Sequence, residues 1–106
     1  MITRLVMVEF HPHVGADEVA TFKQDLQGLA AHTDGLVRMS CGEHAETMGD
    51  ELLRRRAPQV VFGNFASIWE FKDHHAVDKF LIDPTHAELA ARWRTWVKQR
   101  YVINIA

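Results

Sequence analysis

The stretch from Ile2 to Phe10, ITRLVMVEF, limits the possible folds more than any other part of the chain. Its β-branched and long apolar residues favour a strand. Leu5 and Met7 fall on one side of that strand and Ile2, Val6 and Val8 on the other, so both faces are largely apolar. A strand lying half in water would alternate more cleanly. This one needs cover above and below. The segment from Phe65 to Phe71, FASIWEF, has the same character, with Phe65, Ser67, Trp69 and Phe71 alternating as a strand requires. Ser67 and Glu70 also match a helix-capping box, but the alternation favours the strand.

Helical spacing lies between and after these strands. From Ala16 to His32, Val19, Phe22, Leu26 and Leu29 form one apolar stripe, with Asp17 and Glu18 in the first turn and Gly35 as the stop. A second strand runs from Leu36 to Gly42, placing Val37, Met39 and Cys41 on one face. The polar stretch after it, broken at Gly49 and Pro58, reads as a long connection. One helical turn at Asp50 to Arg55 is expected in it, and Val60 to Phe62 could add a short strand. Asp73 suits the N-cap of a helix carrying Val77, Phe80 and Leu81, which must end before Pro84. Asp83 then caps a second helix with Pro84 as its first residue. His86, Leu89, Trp93 and Trp96 share one stripe of that helix, so the histidine faces inward. Arg100 to Ala106 closes the chain as a strand, with Tyr101, Ile103 and Ile105 on one side.

The order β-α-β-β-α-α-β predicts an α+β, ferredoxin-like antiparallel sheet with its helices on one face, in a single domain over residues 1–106. The sheet's other face remains apolar. A second copy of the chain is the simplest cover, giving a homodimer whose two sheets close into a dimeric α/β barrel. Other partners are disfavoured, since a net charge of -2 offers no electrostatic attraction to nucleic acid or an anionic membrane. No apolar run approaches the roughly 20 residues that span a bilayer. The single cysteine, Cys41, and an opening segment without signal-peptide layout lead us to expect a cytoplasmic protein.

Several residues are candidates for chemistry. Burial and a helix N-terminus both favour a neutral imidazole at His86, which could then act as a base; a histidine there can equally be a core hydrogen-bonding residue. Arg4 interrupts an apolar strand. It either pairs with an acid or, turned inward, binds a carboxylate or enolate oxygen. Trp93 and Trp96 could line a ligand cavity, though their spacing is first of all that of a core. His11 and His13, or His74 and His75, lack metal-site spacing, so neither a metal nor a cofactor is expected. Cys41 reads as core, and Arg54 to Arg56, flanked by Asp50 and Glu51, as a solvated turn.

Four segments in order, RLVMVEF, CGEH, GNFASIWEF and KFLIDPTHAEL, resemble the stress-responsive α/β barrel (Dabb) family of small dimeric proteins. The resemblance spans nearly the whole chain, apart from a connection from Glu46 to Gly63 that is longer than usual. The break from Phe80 to His86 carries it best: the family signature there is tyrosine, two apolar residues, histidine or another residue, proline, a small residue and histidine, and this chain follows it with Phe80 in the tyrosine's place. The resemblance implies the fold, and for one plant member, a polyketide cyclase, a pocket between sheet and helices with a histidine-tyrosine pair. Its histidine falls on His86, its tyrosine on Phe80, and two further pocket positions on Arg4 and Phe65. Phe80 has no hydroxyl and cannot exchange a proton. These positions, with Trp93, are the expected ligand-binding set around a catalytic His86. Two classes of function fit the residues. One is a binder of, or enzyme for, a small apolar or aromatic molecule; the other is a structural or stress-associated dimer without chemistry. A third possibility is a polyketide-cyclase-like or cofactor-free oxygenase-like enzyme, the latter sharing the dimeric barrel architecture. An enclosed volume beside His86 would separate the two classes.

Overall fold

The computed structural model describes all residues, Met1–Ala106. The chain runs β1 (Ile2–Phe10), α1 (Ala16–Ala31), β2 (Leu36–Glu43), α2 (Met48–Arg56), β3 (Phe65–Phe71), α3 (His74–Ile82), α4 (Pro84–Trp93) and β4 (Val97–Ile105). The four strands form one antiparallel sheet in the order β2-β3-β1-β4. This is the ferredoxin-like α+β arrangement the sequence predicts. The two strands that are apolar on both faces, β1 and β3, are the two central ones.

The register decides what each face carries. Even-numbered residues of β1 lie beside odd-numbered residues of β3, as Arg4 with Trp69, Val6 with Ser67 and Val8 with Phe65. They face the helices, which bury Ile2, Val8, Phe65, Trp69 and Phe71 against Phe22, Leu26, Leu29, Ala76, Val77 and Phe80. The opposite parity forms the other face, where Ile68, Leu5 and Ile103 line up across three strands with Met7 and Tyr101 next to them. Ile68, Met7, Tyr101 and Ile103 are all exposed in the single chain.

Local signals set the helix ends. Asp73 accepts a hydrogen bond from the Ala76 amide at 2.9 Å, and Asp83 one from the Thr85 amide at 2.8 Å, so the Asp83-Pro84 pair ends α3 and starts α4. Gly35, between α1 and β2, takes a φ of 77°, which glycine adopts without the usual penalty. A Cβ there would also lie 2.5 Å from the Ala76 Cβ, so α3 can approach this turn only over glycine.

Four expectations need correction. α4 ends at Trp93, so Trp96 leaves the helical stripe; β4 starts at Val97, paired with Phe10, and the Trp96 carbonyl accepts from the His11 amide at 2.9 Å. Pairing with β1 overrides helical spacing there. An irregularity in β2 between Leu36 and Arg38 leaves Val37 exposed, while Leu36, Met39 and Cys41 pack on the core. The single turn expected at Asp50 to Arg55 is a nine-residue helix, held at its start by Thr47, whose amide and hydroxyl both donate to Asp50. Val60 to Phe62 form no strand.

Candidate functional site

A cavity of about 310 Å³ opens between the helix-facing side of the sheet and helices α1, α3 and α4. Its floor comes from Arg4, Val6 and Val8 of β1 and Ser67 and Trp69 of β3. Phe22, Phe80 and Trp93 form aromatic walls, and His86 stands among them. The Asp83-Pro84 break is what brings the histidine here, because it turns α4 so that its first turn lies over Phe80.

The His86 imidazole stacks on the Phe80 ring, with centroids 4.4 Å apart and planes 21° apart, and its centroid is 6.1 Å from that of Trp93. Burial pushes its pKa below the ordinary value of 6.5; Arg4 and Arg100 act in the same direction, while the Phe80 carbonyl and Asp83 oppose them. The neutral form is therefore favoured near pH 7, and a neutral ring can accept a proton. The unfolded chain then takes up a proton at this position before the folded chain does, so folding stability falls as pH drops from about 6.5 towards the lowered value. His86→Phe is expected to flatten the decline of stability with acidification over that window. An unchanged slope in denaturant titrations across pH would show that the folded imidazole titrates as in water.

The cavity keeps its shape through bonds made behind its walls. The Trp93 indole N–H donates to Asp25 at 3.0 Å, and Arg92 pairs with the same carboxylate, so the indole is fixed from the α1 side. The Trp69 indole N–H donates to the buried Ser67 hydroxyl at 2.8 Å. Phe80 also packs on Trp69, at 5.0 Å, and on Phe71, at 5.3 Å.

Of the residues expected at the site, Arg4, Phe80, His86 and Trp93 meet at this cavity. Phe65 does not line it. Its ring lies edge-on to Phe22 at 5.2 Å, and Phe22 takes the wall position. Arg4 is on a central strand, where its only side-chain partner is Asn104 on β4, with Nη1 to Oδ1 at 3.2 Å. It has no acidic partner. The sequence reading missed Arg94, Lys98 and Arg100, which also border the cavity. The register pairing Arg100 with Val8 puts that side chain on the helix side of the sheet.

The remaining polar clusters lie elsewhere. His44, Glu46 and Asp50 bring ligand-type atoms within 4.8 Å of one another. Their carboxylates already serve the fold, Asp50 holding Thr47 and Glu46 pairing with Arg54. Burial raises the pKa of the Cys41 thiol, which suits a packing role rather than a nucleophile. No helix is long and apolar enough to cross a membrane.

Residues 2–106 match the family model described as the Stress responsive A/B Barrel Domain. No curated protein matches by sequence. Solved structures match over almost the full length. A dimeric ferredoxin-like protein from Thermobifida fusca is 16% identical with a TM-score of 0.79, covering 99% of this chain and 89% of that one. The hydroxynitrile lyase from Passiflora edulis is 13% identical with a TM-score of 0.78, covering 98% and 90%. SnoaB, a cofactor-independent oxygenase from Streptomyces nogalater, is 18% identical with a TM-score of 0.69, covering 99% and 90%.

Proposed function

Because the chain belongs to the stress responsive A/B barrel domain family, we propose that it works as a homodimer in which each protomer holds a small apolar or aromatic molecule beside His86. The cavity carries this reading. It is bounded by Phe80, Trp69 and Trp93, and its imidazole is held in the neutral form. A filled interior would have favoured the structural alternative. Two structural neighbours are enzymes, a hydroxynitrile lyase and a cofactor-independent oxygenase, which supports chemistry on this fold. His86 is then the group that exchanges a proton with the ligand. Phe80 stacks on it without a hydroxyl, so a histidine-tyrosine acid-base pair is absent and cyclase chemistry is not part of the proposal.

The dimer follows from the outer sheet face. Leu5, Met7, Ile68, Tyr101 and Ile103 form a contiguous apolar surface on that side, and structural neighbours are dimeric. A second sheet laid on it would cover the surface and close the barrel.

The test uses His86→Ala and a thermal-shift screen of small aromatic compounds. A compound that stabilises the wild type should lose its effect on the variant, while the ligand-free melting temperature stays within a degree or two. If the ligand-free variant instead melts several degrees lower, His86 is a core residue, since about 1 kcal/mol shifts a domain of this size by roughly 4 to 8 °C.

A further inference from the structure

The chain carries a net charge of -2, yet its cavity is bordered by Arg4, Arg94, Lys98 and Arg100 and by no carboxylate. The imbalance is local. Six of the twelve lysines and arginines lie within 4.0 Å of an acidic side chain, Lys98 among them through Glu9 at 3.7 Å. Arg4, Arg94 and Arg100 have no such partner, and all three converge on this one cavity. Arg4 is the most telling of them because it rises from a central strand on the helix-facing side of the sheet, where partial burial weakens its hydration. Burial and the neighbouring Arg100 both push its guanidinium pKa down, the signature of a cation without compensation. Its one bond, to the neutral Asn104 amide, steers the side chain without neutralising it.

A second polar group is left over at the floor. The Ser67 hydroxyl accepts from Trp69 and makes no other side-chain hydrogen bond, so its own proton remains available although only 4% of the residue is exposed. An unspent O–H and a guanidinium without an acidic partner, both lining one cavity, call for an acceptor. A planar carboxylate meets an arginine fork with two parallel bonds. The aromatic walls of Phe22, Phe80 and Trp93 suit a flat hydrocarbon body attached to it.

Resting on the reading that this cavity binds a small aromatic molecule, we propose that the ligand is an organic monoanion, an aryl carboxylate or equivalent enolate. Its oxygens would meet Arg4, Arg100 and Ser67, and its ring would lie among the aromatic walls beside His86. An aromatic ligand without charge would leave the half-buried Arg4 uncompensated; a monoanion held between Arg4 and Arg100 compensates it.

The test compares β-naphthoate with β-naphthamide, which have the same ring system and nearly the same shape but differ in charge. Binding is followed by calorimetry on the full chain. The naphthoate is expected to bind about tenfold or more tightly than the amide, the scale of one charge-assisted hydrogen bond, and to weaken as salt is added. Arg4→Met should bring the two affinities together without abolishing amide binding, and Arg100→Gln should do the same in part if Arg4→Met does not fold. Equal affinities in the wild type, or a preference for the amide, would overturn the anion and leave the aromatic pocket standing. A wild type that binds neither would overturn both. A naphthoate preference that survives both substitutions would show that the charge is read elsewhere on the surface.

Discussion

Phe71→Ala is expected to lower stability by about 3 to 5 kcal/mol, the cost of removing a large aromatic side chain from a packed core. Phe71 is fully buried, at 0% exposure, and its ring contacts those of Trp69 and Phe80. Total stabilities of such domains are about 5 to 15 kcal/mol, so this single change removes a large part of the whole. The melting temperature should fall by roughly 15 °C or more. Because Phe71 supports the ring on which His86 stacks, the loss should extend to ligand affinity in whatever fraction stays folded. Phe71→Leu should recover much of the stability. A fall of only a few degrees in calorimetry for the alanine variant would mean that the core collapses around the gap and that the aromatic cluster is not what holds the sheet to α3.

The second large effect concerns assembly. Ile68→Asp combined with Ile103→Asp should convert the proposed dimer to a monomer at micromolar concentration, with the far-ultraviolet circular dichroism unchanged. Both side chains are exposed in the single chain, at 42% and 58%, and flank Leu5 on the outer face. Within one protomer the aspartates therefore meet water at little cost. In a sheet-to-sheet dimer they would be buried without a partner, and two-fold symmetry would place further copies nearby. Sedimentation showing an intact dimer in the double variant, or a monomeric wild type, would remove the sheet-packed dimer from consideration.

The fold was legible because several independent signals agreed. Two-sided apolar strands at Ile2 to Phe10 and Phe65 to Phe71 announced central positions, and Asp83-Pro84 fixed the junction of α3 and α4 at the residue. The errors arose where pairing with another strand outweighs local spacing. Trp96 continues the stripe of His86, Leu89 and Trp93 in the sequence, but Val97 onward is claimed by β1, and the helix stops. Val37 alternates correctly with Met39 and Cys41 until the irregularity after Leu36 turns it outward. α2 was hard to see for the opposite reason. It buries no residue, since its apolar Met48, Leu52 and Leu53 all stay exposed, and it depends on the Thr47 and Asp50 contacts for its start.

The site was half legible for the same physical reasons. His86, Phe80 and Trp93 come from one continuous stretch whose helical geometry can be laid out in advance. Lys98 and Arg100 reach the cavity only because β4 pairs with β1 in one register, and a strand read alone does not contain its register, while Arg94 borders it from the end of α4, one residue past the helix. Phe65 and Phe22 are both aromatic and both buried; which of them faces the open space depends on how α1 lies across the sheet.

The segment from His44 to Asn64 has a practical consequence for anyone who wishes to build on this scaffold. β2 and β3 are antiparallel neighbours, and the His44 amide already closes the base of the segment on the Asn64 carbonyl at 2.8 Å. Beyond that clasp, Arg54 lies over the Phe62 ring, 4.6 Å from its centre, and pairs with Glu46, while no side chain of α2 enters the core. The segment holds itself together and does not border the cavity. Lengthening such a connection costs little, because closure entropy grows only slowly with length. The molecule thus carries its own attachment point: a reporter, a tether or a whole foreign domain inserted at the exposed turn of Pro58 and Gln59, just past α2, is expected to leave the aromatic chamber undisturbed.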